Sequence, residues 1–183
     1  DEELVEKYRE MVYVLDLHHL HRALYRIITP EGDRIVTEEA YFTALDERLP
    51  HEVCLEISHG RSGFDNELVI RFGEDQVRLD YKQFFLVAYI LHRDEPLTTG
   101  EIASCYYHRF LRDNMGEAAA RKALERLNRQ VPFFGEIIET TTVGRQAGRK
   151  RKAGISYRIF CRASDVFPWE NEDGEGDGGV RIS

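Results

Sequence analysis

Five cations stand together with no acid among them in the stretch Val143-Gly-Arg-Gln-Ala-Gly-Arg-Lys-Arg-Lys-Ala-Gly154: Arg145, Arg149, Lys150, Arg151 and Lys152. The whole chain carries a formal charge of −8, so this run is a local reversal of sign. Concentrated like charge opposes compaction, and packing gives no reason for it. Attraction to a polyanion does, and loosely held cations suit phosphates or a narrow minor groove. A second set lies upstream, where Arg121, Lys122, Glu125, Arg126, Asn128 and Arg129 fall opposite or beside the apolar spacing Leu124, Leu127, Val131. Arginine bonds guanine through two parallel hydrogen bonds and asparagine does the same with adenine, so one exposed face of this composition suits base readout. Thr98 and Thr99 precede an apolar run as helix caps, and the positive end they begin could face a phosphate. With about six phosphate contacts the log–log salt slope of binding would be near −5.

Other chemistries find little support. Asp16, His18, His19 and His21 have the residue types of a metal site, but no second cluster supplies further ligands, and they read as a solvated histidine patch. There is no Gly-rich phosphate loop, nucleophile elbow or HExxH, and Glu38 and Glu39 are explained by a helix dipole. We expect no enzyme, no metal and no cofactor. Cys54, Cys105 and Cys161 are odd in number and far apart, as buried free thiols of a reducing cytoplasm would be. No segment is long and apolar enough to span a membrane, and residues 1–27 are too charged for a signal peptide. A cytoplasmic, nucleoid-associated location is expected.

The net charge conceals a division. Residues 1–80 hold 9 Lys/Arg against 19 Asp/Glu, residues 81–163 hold 15 against 8, and residues 164–183 hold 1 against 6. An approaching polyanion senses regional charge within a Debye length of about 8–10 Å, so the partner should be inferred from the middle segment.

The elements that must position these residues follow from periodicity. Residues 2–27 read as one helix with apolar positions at Leu4, Tyr8, Met11 and Leu15, rotating to Leu17, Leu20, Leu24 and Ile27. Two apolar faces suit a helix that bridges to another subunit. Thr29–Asp33 is a turn, and Thr37 caps a short helix reaching about Leu49. Strands are predicted at Glu52–Ser58, Glu67–Phe72 and Gln76–Leu79. Helices follow at Tyr81–His92, Glu101–Phe110 and Glu117–Val131. The flanks Ile137–Val143 and Ile155–Phe160 then read as the two arms of a hairpin with the cations at its tip. Asn171–Gly179 is acidic and Gly-rich, a composition that favours disorder.

A sheet, three helices and a hairpin in that order describe an α+β winged helix-turn-helix. Gln76 to Ile159 resembles the DNA-binding output domain of OmpR/PhoB-type response regulators. The resemblance rests on Val77–Leu86 as the strand entering the first helix, and on Pro96–Ile102 as the turn and capped second helix. It rests also on Leu124-Glu-Arg-Leu127 with Val131 as the buried side of the recognition helix, and on Thr142-Val143 with Tyr157-Arg158-Ile159 as the arms of the wing. Ser156-Tyr157 replaces the family's closing Gly-Tyr pair, the wing is enlarged, and residues 1–50 lack the parts of a receiver domain. The resemblance also implies contact of the loop His108–Gly116 with RNA polymerase, although its own residues read as a plain connector.

Three segments result: an N-terminal helical region for dimerisation or partner docking (1–50), a winged helix domain (51–163) and an acidic tail (164–183). The leading expectation is a sequence-specific regulator of transcription that binds double-stranded DNA as a homodimer through its N-terminal helix. Base readout falls to residues 121–129 and phosphate or minor-groove contact to the basic wing, with the acidic tail competing for that wing. Alternatives are a winged-helix module that binds protein, and a non-specific architectural binder of nucleic acid.

Overall fold

The computed structural model describes residues 2–59 and 66–170, with the backbone alone for 13–23. The protein is α+β, built around a six-stranded mixed sheet in the order β2-β1-β9-β3-β4-β5. Its strands are β1 (Tyr25–Thr29), β2 (Gly32–Val36), β3 (Glu52–His59), β4 (Asn66–Phe72), β5 (Asp75–Arg78) and β9 (Ser156–Arg162). All neighbours are antiparallel except β3 and β9, which run parallel with Leu55 opposite Ile159. A second sheet of three strands contains β6 (Leu97–Thr98), β7 (Ile138–Val143) and β8 (Gln146–Arg151), in the order β6-β8-β7.

Alternation along the strands divides the large sheet into two apolar faces. Ile28, Val53, Leu55, Ile70, Tyr157 and Ile159 join the main core beneath α3 (Tyr81–His92). Ile27, Cys54 and Phe160 point the other way and meet Tyr41 of α2 (Glu38–Asp46). Arg158 is on this second face, its side chain 8% exposed, and its Nε donates to Glu52 Oε1 at 2.8 Å. The Glu52 side chain is equally withdrawn from water at 7%.

Local chemistry explains the helices. Thr37 accepts from the Ala40 amide to start α2. Asp80 and Gln83 form a reciprocal capping box that starts α3, whose buried residues run from Gln83 to Leu91. The next helix opens with the turn α4 (Thr99–Glu101) and continues as a π-helix over Ile102–Phe110. That wide turn sinks Tyr106 and Tyr107 together, and the Tyr106 hydroxyl donates to the Lys82 carbonyl. Helix α5 (Glu117–Gln130) then buries Ala120, Leu124 and Leu127, and a single turn α6 (Phe134–Ile137) leads into β7.

Three expectations change. The helix expected over residues 2–27 is α1 (Glu2–Ala23), and its presumed last apolar position, Ile27, is a buried residue of β1. The short helix capped by Thr37 stops at Asp46, short of Leu49. The third concerns the hairpin: Ser156–Arg162 is not its second arm. Strand β8, made from the basic run itself, occupies that place, and β9 crosses to the large sheet. The reason is burial. Tyr157, Ile159, Phe160 and Cys161 need cover on both faces, which a central strand has and a hairpin arm lacks.

Strands on both sides of the boundary expected at residue 50 lie in one sheet, because β1 pairs with β9. The segment assigned to an acidic tail also begins as core. Phe167 is fully buried against Phe85, Trp169 stacks on His92 at 3.8 Å, and Glu170 accepts from Arg26 at 2.6 Å. Residues 171–183 lie outside the described residues. Phe167→Ala should lower unfolding free energy by about 3–5 kcal/mol in a urea titration. A change under about 1 kcal/mol would show that this segment is ornament rather than core.

Candidate nucleic-acid interface

The two cationic sets, expected to read bases and to contact phosphates or the minor groove, have different environments. On α5 the buried stripe Ala120, Leu124, Leu127 faces the core, which turns Arg121, Lys122, Glu125, Arg126, Asn128 and Arg129 outward. All six are exposed. None of the four cations forms an ion pair within 4 Å among the described residues. Lys122 and Arg129 lie opposite the buried stripe, with Arg121 and Asn128 on one flank and Arg126 on the other.

The basic run is a strand rather than a loop. Pairing of β8 with β7 places Arg149 opposite Thr140 and Leu97, Lys150 opposite Glu139, and Arg151 opposite Ile138. Lys150 Nζ meets Glu139 at 3.3 Å. Arg151 covers the Tyr157 ring at 5.0 Å and approaches Asp94 at 4.0 Å. Lys152 donates to the Gly135 carbonyl. Arg149 is half-buried beside Leu97, which lowers its pKa by desolvation and leaves Nη1 without a protein partner. Arg145, at the turn, and Lys152 are the two cations of the run that are exposed without an ion pair among the described residues. At the turn itself the expected cationic tip is Arg145, while Lys152 lies just past the other end of β8.

Geometry at the hairpin has a clear local cause. Gly144 takes φ +61° in a two-residue turn between Val143 and Gln146, as such turns require. Gly148 lies beneath Pro96, where a Cβ would come within 2.9 Å of the Pro96 Cβ and 3.0 Å of Val143 Cγ2. That close approach lets β6 pair with β8 and fixes the hairpin against the start of the second helix.

Thr98 and Thr99 have separate places. Thr98 is the cap: its hydroxyl accepts from the Glu101 amide at 3.2 Å, and its own amide donates to Glu101 Oε2 at 2.9 Å. Thr99 is buried in the first turn. The Glu101 carboxylate thus already occupies part of the positive end expected to meet phosphate, and it is also 3.4 Å from Arg93. The same end nevertheless stands at a junction. A Cβ on Gly100 would lie 3.2 Å from both Glu117 Oε1 and Gln146 Oε1, so the starts of the second helix, α5 and β8 converge. Reading by composition passed over Gln146, because a neutral residue inside a basic run carries no charge signal.

A hollow of about 250 Å³ lies on the other flank of α5, between it and the start of α3. Lys122 and Arg126 line it with Leu86, Met115 and Leu127. Lys82, also on its lining, is held by Asp113 at 2.8 Å. The capping signal Asp80-x-x-Gln83 in the sequence marks where this wall begins.

Among the described residues no group of three His, Cys, Asp or Glu side chains is placed to hold a metal ion. His18, His19 and His21 lie outside the described side chains. Cys54 and Cys161 are buried and Cys105 is half-buried; all three are free thiols. Burial pushes the Cys54 thiol up to about 11. Among the described residues no helix is long and apolar enough to cross a membrane.

No family model, curated protein or solved structure matches this chain.

The hairpin is tied to the core through His92. Its Nδ1 lies 3.0 Å from the Tyr157 hydroxyl, and Arg151 covers the same tyrosine. Burial holds the His92 imidazole below its ordinary value, against Asp33, Asp94 and Glu170, which favour the cation; Arg151 opposes it. The native state then binds fewer protons here than the unfolded chain does. Stability from this site is complete above about pH 6.5 and is lost as pH falls from there towards the depressed native value. Urea midpoints measured from about pH 8 to about pH 5 should decline in acid, and His92→Gln should make the decline shallower. Equal pH dependence in the two proteins would remove His92 as its source.

Proposed function

We propose that residues 81–151 form a winged helix that binds double-stranded DNA, with α5 in the major groove and the β7–β8 turn on the adjacent backbone. The topology supports the winged helix: a helix, a short strand, two helices and a hairpin, with the short strand paired to the hairpin's second strand. That arrangement also supports kinship in fold with OmpR/PhoB-type output domains over this segment, although the route of β9 departs from the expected wing.

The observation that carries the functional reading is the outer face of α5. Four exposed cations and Asn128 share it with a single acid, in a chain whose formal charge is −8. An ordinary solvated helix alternates signs and forms pairs along its face. This one presents cations with no ion pair among the described residues, on a helix whose start, at Glu117, converges with Gln146 beside the hairpin turn. Helix dimensions fit the major groove, and arginine with asparagine supplies the donors that distinguish guanine and adenine. Lys150, Arg151 and Lys152 serve mainly to hold the hairpin together, and Arg149 is half-buried beside Leu97. The regulatory role in transcription, homodimerisation and contact with RNA polymerase belong to the same proposal as its wider context.

Selection of bound duplexes from a random library, followed by anisotropy titrations across salt, tests the reading. With Arg121, Lys122, Arg126, Arg129 and Arg145 in contact, the log–log salt slope should be roughly −4 to −5. Arg129→Ala should weaken the selected site by about 1–3 kcal/mol if it reads a base edge. Lys122→Ala should weaken all duplexes alike and reduce the slope by about one. A library that yields no enriched sequence while binding persists points to an architectural binder. No binding at low salt ends the DNA proposal.

A further inference from the structure

We propose that the hollow between α3 and α5 binds a small monocarboxylate with an apolar body, and that its occupation withdraws Lys122 and Arg126 from DNA. The withdrawal rests on the proposed function; the site itself does not. The hollow measures about 250 Å³. Sites for drug-sized molecules run from roughly 300 to 1,000 Å³, so its occupant is small. Leu86, Met115, Ala119, Ala123 and Leu127 give it apolar walls.

The polar groups of the lining decide what the occupant carries. Gln83 is satisfied: its side chain donates to Gln130 Oε1 at 2.7 Å and accepts from the Asp80 amide at 3.2 Å. Lys82 Nζ is held by Asp113 at 2.8 Å. Asp80 is the one acid of the lining, and its Oδ1 accepts from the Gln83 amide at 2.7 Å as the cap of α3. Three groups remain. Lys122 and Arg126 are exposed and form no ion pair among the described residues. The third is the Tyr107 hydroxyl, and it is the decisive one. Tyr107 is only 2% exposed, yet its hydroxyl has no hydrogen-bond partner among the described residues. The charges around it include Lys82, Asp80 and Arg126, all of them on the lining. A buried hydroxyl without a partner is costly, and an acceptor on a ligand removes that cost. Burial pushes its pKa up against Lys82 and Arg126, so it remains a donor at neutral pH. All three free groups are therefore donors, and two are cations. The acceptor that suits them is an anion.

The π-helical stretch Ile102–Phe110 supplies the tyrosine. It buries Tyr106 and Tyr107 as consecutive residues, and such wide turns recur at functional sites. Tyr106 gives its hydroxyl to the Lys82 carbonyl, which leaves Tyr107 for the hollow. Asp80 opposes an anion, and so sets where the charge lies and how many charges fit. The carboxylate belongs at Tyr107, Lys122 and Arg126, with the apolar body on the remaining wall. A second carboxylate would meet Asp80, and Lys82 offers little relief because Asp113 neutralises it. Bonded to the occupant, Lys122 and Arg126 cannot also neutralise two phosphates.

The test titrates phenylpropionate into the full chain and follows the methyl signals of Met115, Ala119 and Ala123. Saturable shifts confined to the hollow, with a Kd below about 1 mM, are expected. Phenylpropionamide keeps the apolar body without the charge and should bind at least about tenfold more weakly. Tyr107→Phe removes the hydroxyl and keeps the ring; it and K122Q/R126Q should each weaken the carboxylate about tenfold. Asp80→Asn retains a capping residue, and should tighten the carboxylate and narrow its advantage over the para-carboxylated dianion. No saturable shift, equal affinity for the amide, or unchanged affinity in Tyr107→Phe or in K122Q/R126Q overturns the site. Unaltered signals from the large sheet show that each variant is folded. In parallel, saturating phenylpropionate should weaken duplex binding about tenfold or more at about 0.1 M salt and reduce the salt slope by about two, whereas equimolar acetate should not. Saturable binding with unchanged DNA affinity overturns the withdrawal. Saturable binding by a chain that binds no DNA keeps the site and removes the DNA function.

Discussion

The insertion of β9 between β1 and β3 is the constraint on which the rest depends. Without it the large sheet divides into a hairpin, β1–β2, and a meander, β3–β4–β5, each with an uncovered edge. With it, residues 25–28 pair with residues 159–162, so the sheet can close only after nearly the whole chain is in place. Such long-range pairing carries a loop-closure cost before any contact compensates it. The compensation comes from a strand buried on both faces, with Tyr157, Ile159 and Cys161 on one side and Arg158 and Phe160 on the other. Arg158 makes the register selective. A shift by one residue would turn its guanidinium into the main core and leave Glu52 as an uncompensated buried charge, a loss on the order of 3–5 kcal/mol.

The hairpin inherits its shape from that choice. Once β9 leaves for the large sheet, β7 lacks a partner, and the segment directly before β9 is the nearest available backbone. Gln146–Arg151 has poor strand propensity, but Gly148 fits beneath Pro96, Lys150 meets Glu139 and Arg151 covers the Tyr157 ring. Strand propensity expresses fit to a surface, and here the surface decides. The same route anchors the C-terminal segment. Leaving β9, the chain is led to Phe167 and Trp169 on α3, with Glu170 locked on Arg26 of β1.

How much of this the sequence made legible depends on whether the cause was local. Thr37 and Thr98 announced their helix starts, and each forms the cap its chemistry predicts, whereas the capping box of Asp80 and Gln83 was a signal that reading by periodicity passed over. The alternation in residues 52–78 gave three strands to within a residue or two. The apolar spacing of α5 showed which of its residues face outward, and that placement holds for all six. What was not legible was competition between distant segments. Ile155–Phe160 looks equally suited to a hairpin arm and a central strand, and only the unsatisfied edges of β1 and β3 decide between them. Ile27 has both helical and strand periodicity, and pairing with β9 settles it. For the candidate site, clustering of charge in sequence was a weaker guide than exposure. The densest cationic run is largely consumed by its own neighbours, while the more diluted set on α5 remains available.

That distinction bears on how an acidic protein can approach DNA at all. Net charge governs the encounter at distances beyond the Debye length, where a chain of −8 is repelled. Closer in, the local arrangement dominates, and on α5 that arrangement is four exposed cations with no ion pair among the described residues. If the protein binds DNA as proposed, approach with α5 leading would be favoured, and repulsion from the remainder would filter encounters rather than prevent them. An acidic body also suppresses non-specific binding more than specific binding, because the former depends almost wholly on phosphate attraction while base contacts add to the latter. On this view the negative charge of the body raises selectivity. On the proposed function, the cations of β8 fit this scheme because they are paired or partly buried: left free, they would strengthen binding to any sequence and weaken the discrimination proposed for α5.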